Sequence, residues 1–472
     1  MKYINYLALG WALFTAGHAT AQGRQYAADA PRPTPLTRPA LKQLIEDVKS
    51  RTPRIPLPEL SDEDRSLLGD RAQSYEARLK YHYLGEAPSG QPRRRGVGLR
   101  EQDPQMTLDY GFKVELFWIV SRTNNCQYCL GHQETKLLSA GRSEEQIAAL
   151  DCNWSAFTPA ERTAFAFARK FTFEPHLLED RDFQDLRQHF SPLQILEMCL
   201  SMSWNNSINR WKEGVGVPQN ADEGGYSRLD SQQTALDTSS IARLSRGTYL
   251  TPTPQEFLDK PTTVATSSTK INEDQTLGET VARRASLEEA AFVVDQLQQV
   301  VHRKPRFPLV DAADTQTILG VEDMEVTNWL RLLANFPLEG KRRSATLIGS
   351  GSNDELSPLL QAQLRWIVAR QDRAWYATAH AWKQLRDLTL SKEEIFELDG
   401  NCEQFTEREQ ALFVLARNLA TSPVVLTDAQ VSRAVDVAGP AATVQVINFV
   451  SQLAAFDRLT EAALLPFEYR FE

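Results

Sequence analysis

The sequence predicts an all-α protein built from two tandem copies of one helical unit. Three observations carry this. Residues 116–169 align without a gap to residues 364–417, at an offset of 364 − 116 = 248, with 20 identities among 54 pairs. Unrelated chains of ordinary composition share on the order of one residue in twenty. The repeated unit carries helix-start signals followed by apolar residues at helical spacing. Strand signals, runs of alternating β-branched and aromatic residues, are few.

The matched pairs include Trp118-Ile119-Val120 with Trp366-Ile367-Val368, Arg122 with Arg370, Tyr128 with Tyr376, His132 with His380, and Leu150-Asp151 with Leu398-Asp399. The same offset pairs Pro192 with Pro440, Arg210 with Arg458 and Pro218 with Pro466. The expected organisation is a leader over 1–21, a flexible segment over 22–53, one unit over 54–218, a linker over 219–275 and a second unit over 276–472. The two units are expected to pack together as a dimer would, inside one chain.

In order along the chain, Met1-Lys2-Tyr3 gives a positive start, Ile4 to Ala16 is mostly apolar, and Ala19-Thr20-Ala21 precedes Gln22. Charge, short apolar core and small-residue exit read as a secretory signal, shorter than the roughly 20 residues of a membrane span. Export to a bacterial periplasm or the medium is expected, with membrane contact only through that segment. Several prolines between Gln22 and Leu36 suggest a flexible lead-in.

Within the first unit, Glu115 to Ser121 is apolar between its two end residues and leads into Thr123-Asn124-Asn125. Asn is a good N-cap, so a helix is expected to open at Cys126 and run to about Ala140, with Gly141 at its end. Ser143-Glu144-Glu145-Gln146 reads as a capped start. Thr158-Pro159-Ala160-Glu161 starts another helix with Pro in its first turn, and Ser191-Pro192 starts one running towards Asn205. Between the units, Asp222-Glu223-Gly224-Gly225, Thr251-Pro252-Thr253-Pro254 and the Thr- and Ser-rich residues 262–269 read as linker, too polar to bury much apolar surface.

Composition narrows function. The 472 residues carry 52 Lys+Arg against 61 Asp+Glu, a net charge of −9. That balance argues against nucleic-acid binding by phosphate neutralisation and against docking on anionic lipid. Five cysteines are too few for a disulfide framework, so their placement matters more than their number.

The chemistry sits in Cys126-Gln127-Tyr128-Cys129-Leu130-Gly131-His132. Residues i, i+3 and i+6 of a helix share one broad face. A helix N-terminus favours thiolate over thiol, because the dipole and the free N–H groups stabilise negative charge. A second thiol three residues away can trap a sulfenic acid as a disulfide, and a nearby histidine can shuttle the proton. A redox dithiol is one reading. A zinc site and a purely structural disulfide are the others; no second Cys/His pair at finger-like spacing supplies the remaining zinc ligands.

At these residues the sequence resembles the alkylhydroperoxidase D / carboxymuconolactone decarboxylase-like family, an all-helical fold. Its signature is a Glu about a dozen residues before Cys-x-x-Cys, followed by a His; Glu115, Cys126, Cys129 and His132 match these types in order. Asn205-Asn206-Ser207-Ile208-Asn209-Arg210-Trp211 resembles a later Asn-Arg segment of the peroxidase-related members. The resemblance covers roughly 54–218 and 305–466. It implies that Cys129 attacks peroxide, Cys126 resolves, and Glu115 and His132 relay protons. Two departures stand out. Ten residues separate Glu115 from Cys126, where eleven is common. Two separate Cys129 from His132, where three is usual, so Gln133 holds the usual place.

In the second copy Ala374 and Ala377 replace the two cysteines and Gln363 replaces Glu115, leaving only His380. That half is expected to be structural, with His380 a packing residue. Cys199 reads as a small buried residue, and Trp204 and Trp211 either line a pocket beside the dithiol or pack in the core. The expected function is an exported thiol-dependent peroxidase or disulfide oxidoreductase. It would act on peroxide or a small organic substrate, with an unidentified thiol electron donor, no cofactor, no metal, no nucleic-acid partner and a possible homo-oligomeric state. The alternative is a decarboxylase-like or non-catalytic small-molecule-binding relative, chemistry that does not need the cysteine pair.

Overall fold

The computed structural model describes residues 27–86, 103–219, 249–264, 286–350 and 354–470. The expected leader over 1–21 lies outside the described residues. Within them the protein is all-α, with eighteen α-helices and no strand. No helix among them is long and apolar enough to cross a membrane.

The first copy's helices are α4 (Tyr110–Thr123), α5 (Gln127–Ser139), α6 (Glu144–Cys152), α7 (Pro159–Phe173), α8 (Asp180–Arg187) and α9 (Pro192–Val215). They follow α1 (Arg38–Asp47), α2 (Asp62–Leu68) and α3 (Tyr75–Leu84). After α10 (Ala290–Val300), α11 (Ala312–Leu319), α12 (Asn328–Leu333) and α13 (Pro337–Gly349) come α14 (Pro358–Asp372), α15 (Trp375–Asp387), α16 (Lys392–Glu397), α17 (Glu407–Ala420) and α18 (Asp428–Ala462). Adding 248 to α5 gives 375–387, the span of α15; adding it to α4 and α7 gives α14 and α17 to within one residue. α18 is broken at Gly439, whose φ of +83° is followed by Pro440. Its two arms fall where α8 and α9 fall in the first copy.

Local chemistry explains the shared boundaries. Capping boxes join Ser143 with Gln146 and Thr158 with Glu161, and at the same offset Ser391 with Glu394 and Thr406 with Glu409. Each hydroxyl satisfies an otherwise orphaned helix N–H, worth about 1 kcal/mol. Where Ser191 caps α9, the second copy has Gly439, so there the chain turns through a left-handed glycine instead. α9 runs on to Val215, well past Asn205. Its asparagines do not compete with the helix backbone because buried partners hold their side chains: Asn206 Oδ1 accepts from Asn124 and Arg210, and Asn209 Nδ2 donates to Ser121 Oγ.

One apolar core runs through both copies and includes Trp118, Phe165 and Phe171 from the first and Trp366, Phe413 and Ile447 from the second. α9 and α18 pack along one another, and the approach is close: a Cβ added at Gly214 would lie 2.5 Å from Ile447 Cγ2. Both copies repeat a buried ion pair, Arg122–Asp151 at 3.1 Å and Arg370–Asp399 at 2.9 Å. The contacts between copies are reciprocal. Arg210 donates to the carbonyl of Ala420 at 2.9 Å, while its counterpart Arg458 donates to the carbonyl of Thr172, the counterpart of Ala420, at 3.1 Å.

Two expectations about loose segments are corrected. Part of the 22–53 segment is ordered: α1 lies there, and Arg38 is fully enclosed, its guanidinium forked onto Glu134 at 2.5 and 2.9 Å. Residues 249–264 of the expected linker dock on the first copy. Tyr249, Phe257 and Val264 are buried, Lys42 donates to Thr251, and Thr262 Oγ1 bonds Asp151. The stretch is polar on average, but three well-placed apolar side chains suffice to anchor it once a folded surface exists.

Candidate functional site

The dithiol is held by the turn between α4 and α5. Asn125 takes the left-handed conformation at φ +58°, which short polar side chains tolerate better than others. The chain doubles back there, so that the Cys126 N–H donates to Ser121 O at 2.9 Å. The N-cap of α5 is therefore Cys126 and not Asn125. Its Sγ accepts the Cys129 N–H at 3.4 Å, putting sulfur where a helix N-terminus concentrates positive potential. Cys126 and Cys129 are joined as a disulfide with Cα atoms 5.3 Å apart. Cys126 is 0 % exposed and Cys129 3 %, so only a small reagent has access to either sulfur. The chain's N-terminal stretch closes over this turn, with Asn125 Nδ2 donating to Pro33 O and Arg122 to Pro35 O.

His132 sits one turn further along α5, half-buried, its ring 4.4 Å from that of Tyr128. Lys212 lies over the other reach of Tyr128 at 4.5 Å and pairs with Glu76 at 2.5 Å. Burial, and then Lys212 and Lys136, push His132 well below the ordinary histidine value, so the imidazole is neutral at pH 7 and a weaker base than an ordinary histidine. Glu115 is 2 % exposed and accepts from Arg142 Nε at 2.8 Å, while its Oε2 has no hydrogen-bond partner. Burial, opposed by Arg142, raises its carboxyl from the ordinary 4.5 to about 7.

The structure thus brings Cys126 and Cys129 together at the start of α5. It does not join Glu115 to His132 or to either sulfur by a hydrogen bond or ion pair. The charges that act on Glu115 are Arg142, Glu161 and Asp109; those on His132 are Lys212, Lys136 and Glu76. Gln133, at the position usual for the family's histidine, is buried and donates to Asn205 Oδ1. Trp211 donates to Glu76 at 2.7 Å, and Trp204 is stacked under Arg343 of α13 at 3.7 Å.

The remaining cysteines are free thiols. Burial raises Cys199 far above the ordinary thiol value and Cys152 to about 11, which makes both poor nucleophiles. Among the described residues no cluster of three His, Cys, Asp or Glu side chains is placed to hold a metal ion. No protein-family model matches the chain, and no curated protein matches it.

Sequence reasoning missed a second polar centre. A cavity of about 280 Å³ in the second copy is lined by Arg365, Ala377, His380, Gln452 and Asp457. At the 248 offset Ala377 stands where Cys129 does. The available signal lay in the same alignment: Arg365 and Asp457 are new charges where the first copy has Phe117 and Asn209.

Proposed function

We propose that the chain is an exported thiol peroxidase that reduces hydrogen peroxide or a short alkyl hydroperoxide through the Cys126/Cys129 pair. The observation that carries this reading is the placement of both sulfurs on the first turn of α5, within bonding distance, with the Cys129 N–H aimed at Cys126 Sγ. The resemblance to the alkylhydroperoxidase D / carboxymuconolactone decarboxylase-like family supports it. Cys129, the less enclosed sulfur, attacks the distal peroxide oxygen as thiolate; the O–O bond breaks, alkoxide leaves and takes a proton, and Cys129 becomes a sulfenic acid. Cys126 thiolate then displaces hydroxide, which leaves as water, and the disulfide forms. A dithiol reductant returns the pair to thiols. His132, neutral at pH 7, is the acceptor for the thiol proton, and a relay role for Glu115 follows from the resemblance alone.

The second copy, without cysteines, is proposed to stand in for a partner subunit. The reciprocal contacts of Arg210 and Arg458 support this, since mutual exchange of equivalent contacts is the mark of a two-fold interface. Export rests on the first 21 residues, and mass spectrometry of the native protein should find the N-terminus near Gln22; intact Met1 in the exported fraction would refute it.

Thiol titration tests the redox reading. The reduced, denatured chain has five thiols, and three cysteines lie outside the pair. Stoichiometric peroxide added to the reduced native protein should lower the count from five to three. A count that stays at five refutes the proposal.

A further inference from the structure

We propose that the cavity of the second copy binds a small organic monocarboxylate, with Arg365 as the carboxylate receptor. The proposal concerns a different site from the dithiol and does not depend on the peroxidase reading. The cavity lies beside α15 and α18, where the second copy's missing cysteines leave room: the Ala377 methyl replaces a thiol.

Three features point to an acid with an apolar body. First, the half-buried Arg365 guanidinium lines the cavity over the Phe449 ring at 4.9 Å, and makes no hydrogen bond or ion pair to any described residue. Guanidinium is the side chain best shaped to fork onto a carboxylate, and leaving it half-buried without an anion is costly. Second, Asp457 and Gln452 line the same cavity, are 1 % and 7 % exposed, and each has an oxygen, Oδ2 and Oε1, without a hydrogen-bond partner. Buried polar atoms of this kind are rarely left unmatched, and Asp457 Oδ2, which can carry a proton, marks a place for a ligand's acceptor group. Third, Trp329, Leu453 and Phe456 supply an apolar wall, and the cavity reaches the surface at the exposed Met324 and Gln384.

Asp457 does not serve as the anion for Arg365. Burial, and then the neighbouring Asp372, raise its carboxyl well above the ordinary value, opposed by Arg458 and Arg365. Asp372 is already committed to Arg458 by two bonds of 2.7 and 3.1 Å. A carboxyl raised in this way favours its neutral form, whose O–H can donate to the same carboxylate as the Arg365 guanidinium, whereas Gln452 Oε1 is an acceptor and takes no part in that recognition. The volume, about 280 Å³, lies at the low end for ligand pockets and suits a single ring or a short chain.

The test uses the full-length protein with benzoate and hexanoate as probes and benzamide as the uncharged control, followed by isothermal titration calorimetry. At least one acid should bind with a Kd at or below the millimolar range, and benzamide should bind about tenfold or more weakly, since it lacks the charge that Arg365 reads. Arg365→Gln should weaken binding of that acid by about tenfold or more. Ala377→Leu, which fills the cavity and leaves every charge in place, should abolish it. Circular dichroism and the melting temperature of each variant establish that it is folded. The proposal is overturned if neither acid binds, if benzamide binds as well as benzoate, or if folded Ala377→Leu retains full affinity.

Discussion

Arg210 and Arg458 donate to the same oxygen, Ser422 Oγ, at 2.8 and 3.1 Å, one guanidinium from each copy of the unit. The hydroxyl proton of Ser422 goes to Asn124 Oδ1 at 2.8 Å. One donor and two lone pairs are therefore all used, the full capacity of a hydroxyl. The two arginines are buried and brought close together, and the Asp372 carboxylate forked onto Arg458 offsets part of that like charge.

Ser422→Ala removes the shared acceptor and leaves two buried guanidinium donors short of a partner. The cost of such orphaned donors is about 1–3 kcal/mol. Urea unfolding should show a lower midpoint with an unchanged slope, the sign of lost stability without altered compactness. An unchanged midpoint would mean that the remaining contacts, to Asn206 and Ala420 for Arg210 and to Asp372 and Thr172 for Arg458, hold the arginines.

Glu115 makes stability depend on pH. Its folded-state value of about 7 lies above the ordinary 4.5, so the folded chain holds this proton more tightly. The stability this contributes is fully present below pH 4.5 and is lost as pH rises through 7. The effect is at most about 3 kcal/mol. Glu115→Gln, which places in the first copy the residue the second carries at Gln363, should flatten the fall in unfolding free energy between these pH values. Parallel wild-type and variant curves would show that Glu115 does not titrate in that window.

The two cysteines should fail differently. Cys129→Ser should abolish peroxide consumption. Cys126→Ser should permit one turnover and leave Cys129 as a sulfenic acid or a higher oxide, read by mass spectrometry. Equal peroxide consumption by both variants would disprove the assigned roles.

Much of the helical framework is legible in the sequence because its signals are local. Thr158 with Glu161 and Ser143 with Gln146 sit within one turn of each other, and the start of α5 was displaced by a single residue, because Cys126 and not Asn125 supplies the capping atom. What stayed hidden is non-local. Arg38 pairs with Glu134 across 96 residues, and nothing near Arg38 announces that an acid waits there. Tyr249 and Val264 look like stray apolar residues in a polar stretch until α1, Asp151 and Gln219 are folded around them. At the site, spacing located the sulfurs but not the separate surroundings of Glu115 and His132. Those depend on which of Arg142, Lys212 and Glu76 the tertiary fold brings near.

The exchange by which Arg210 reaches Ala420 and Arg458 reaches Thr172 takes place within a single polypeptide. Two separate subunits making such contacts dissociate when diluted below their equilibrium constant, whereas a tethered pair keeps a fixed local concentration however dilute the surroundings. The tether also removes a constraint that symmetry imposes on identical chains, in which every substitution appears twice. Here a cysteine at 129 and an alanine at 377 coexist, so one copy can carry the disulfide while the other carries Arg365 and Asp457.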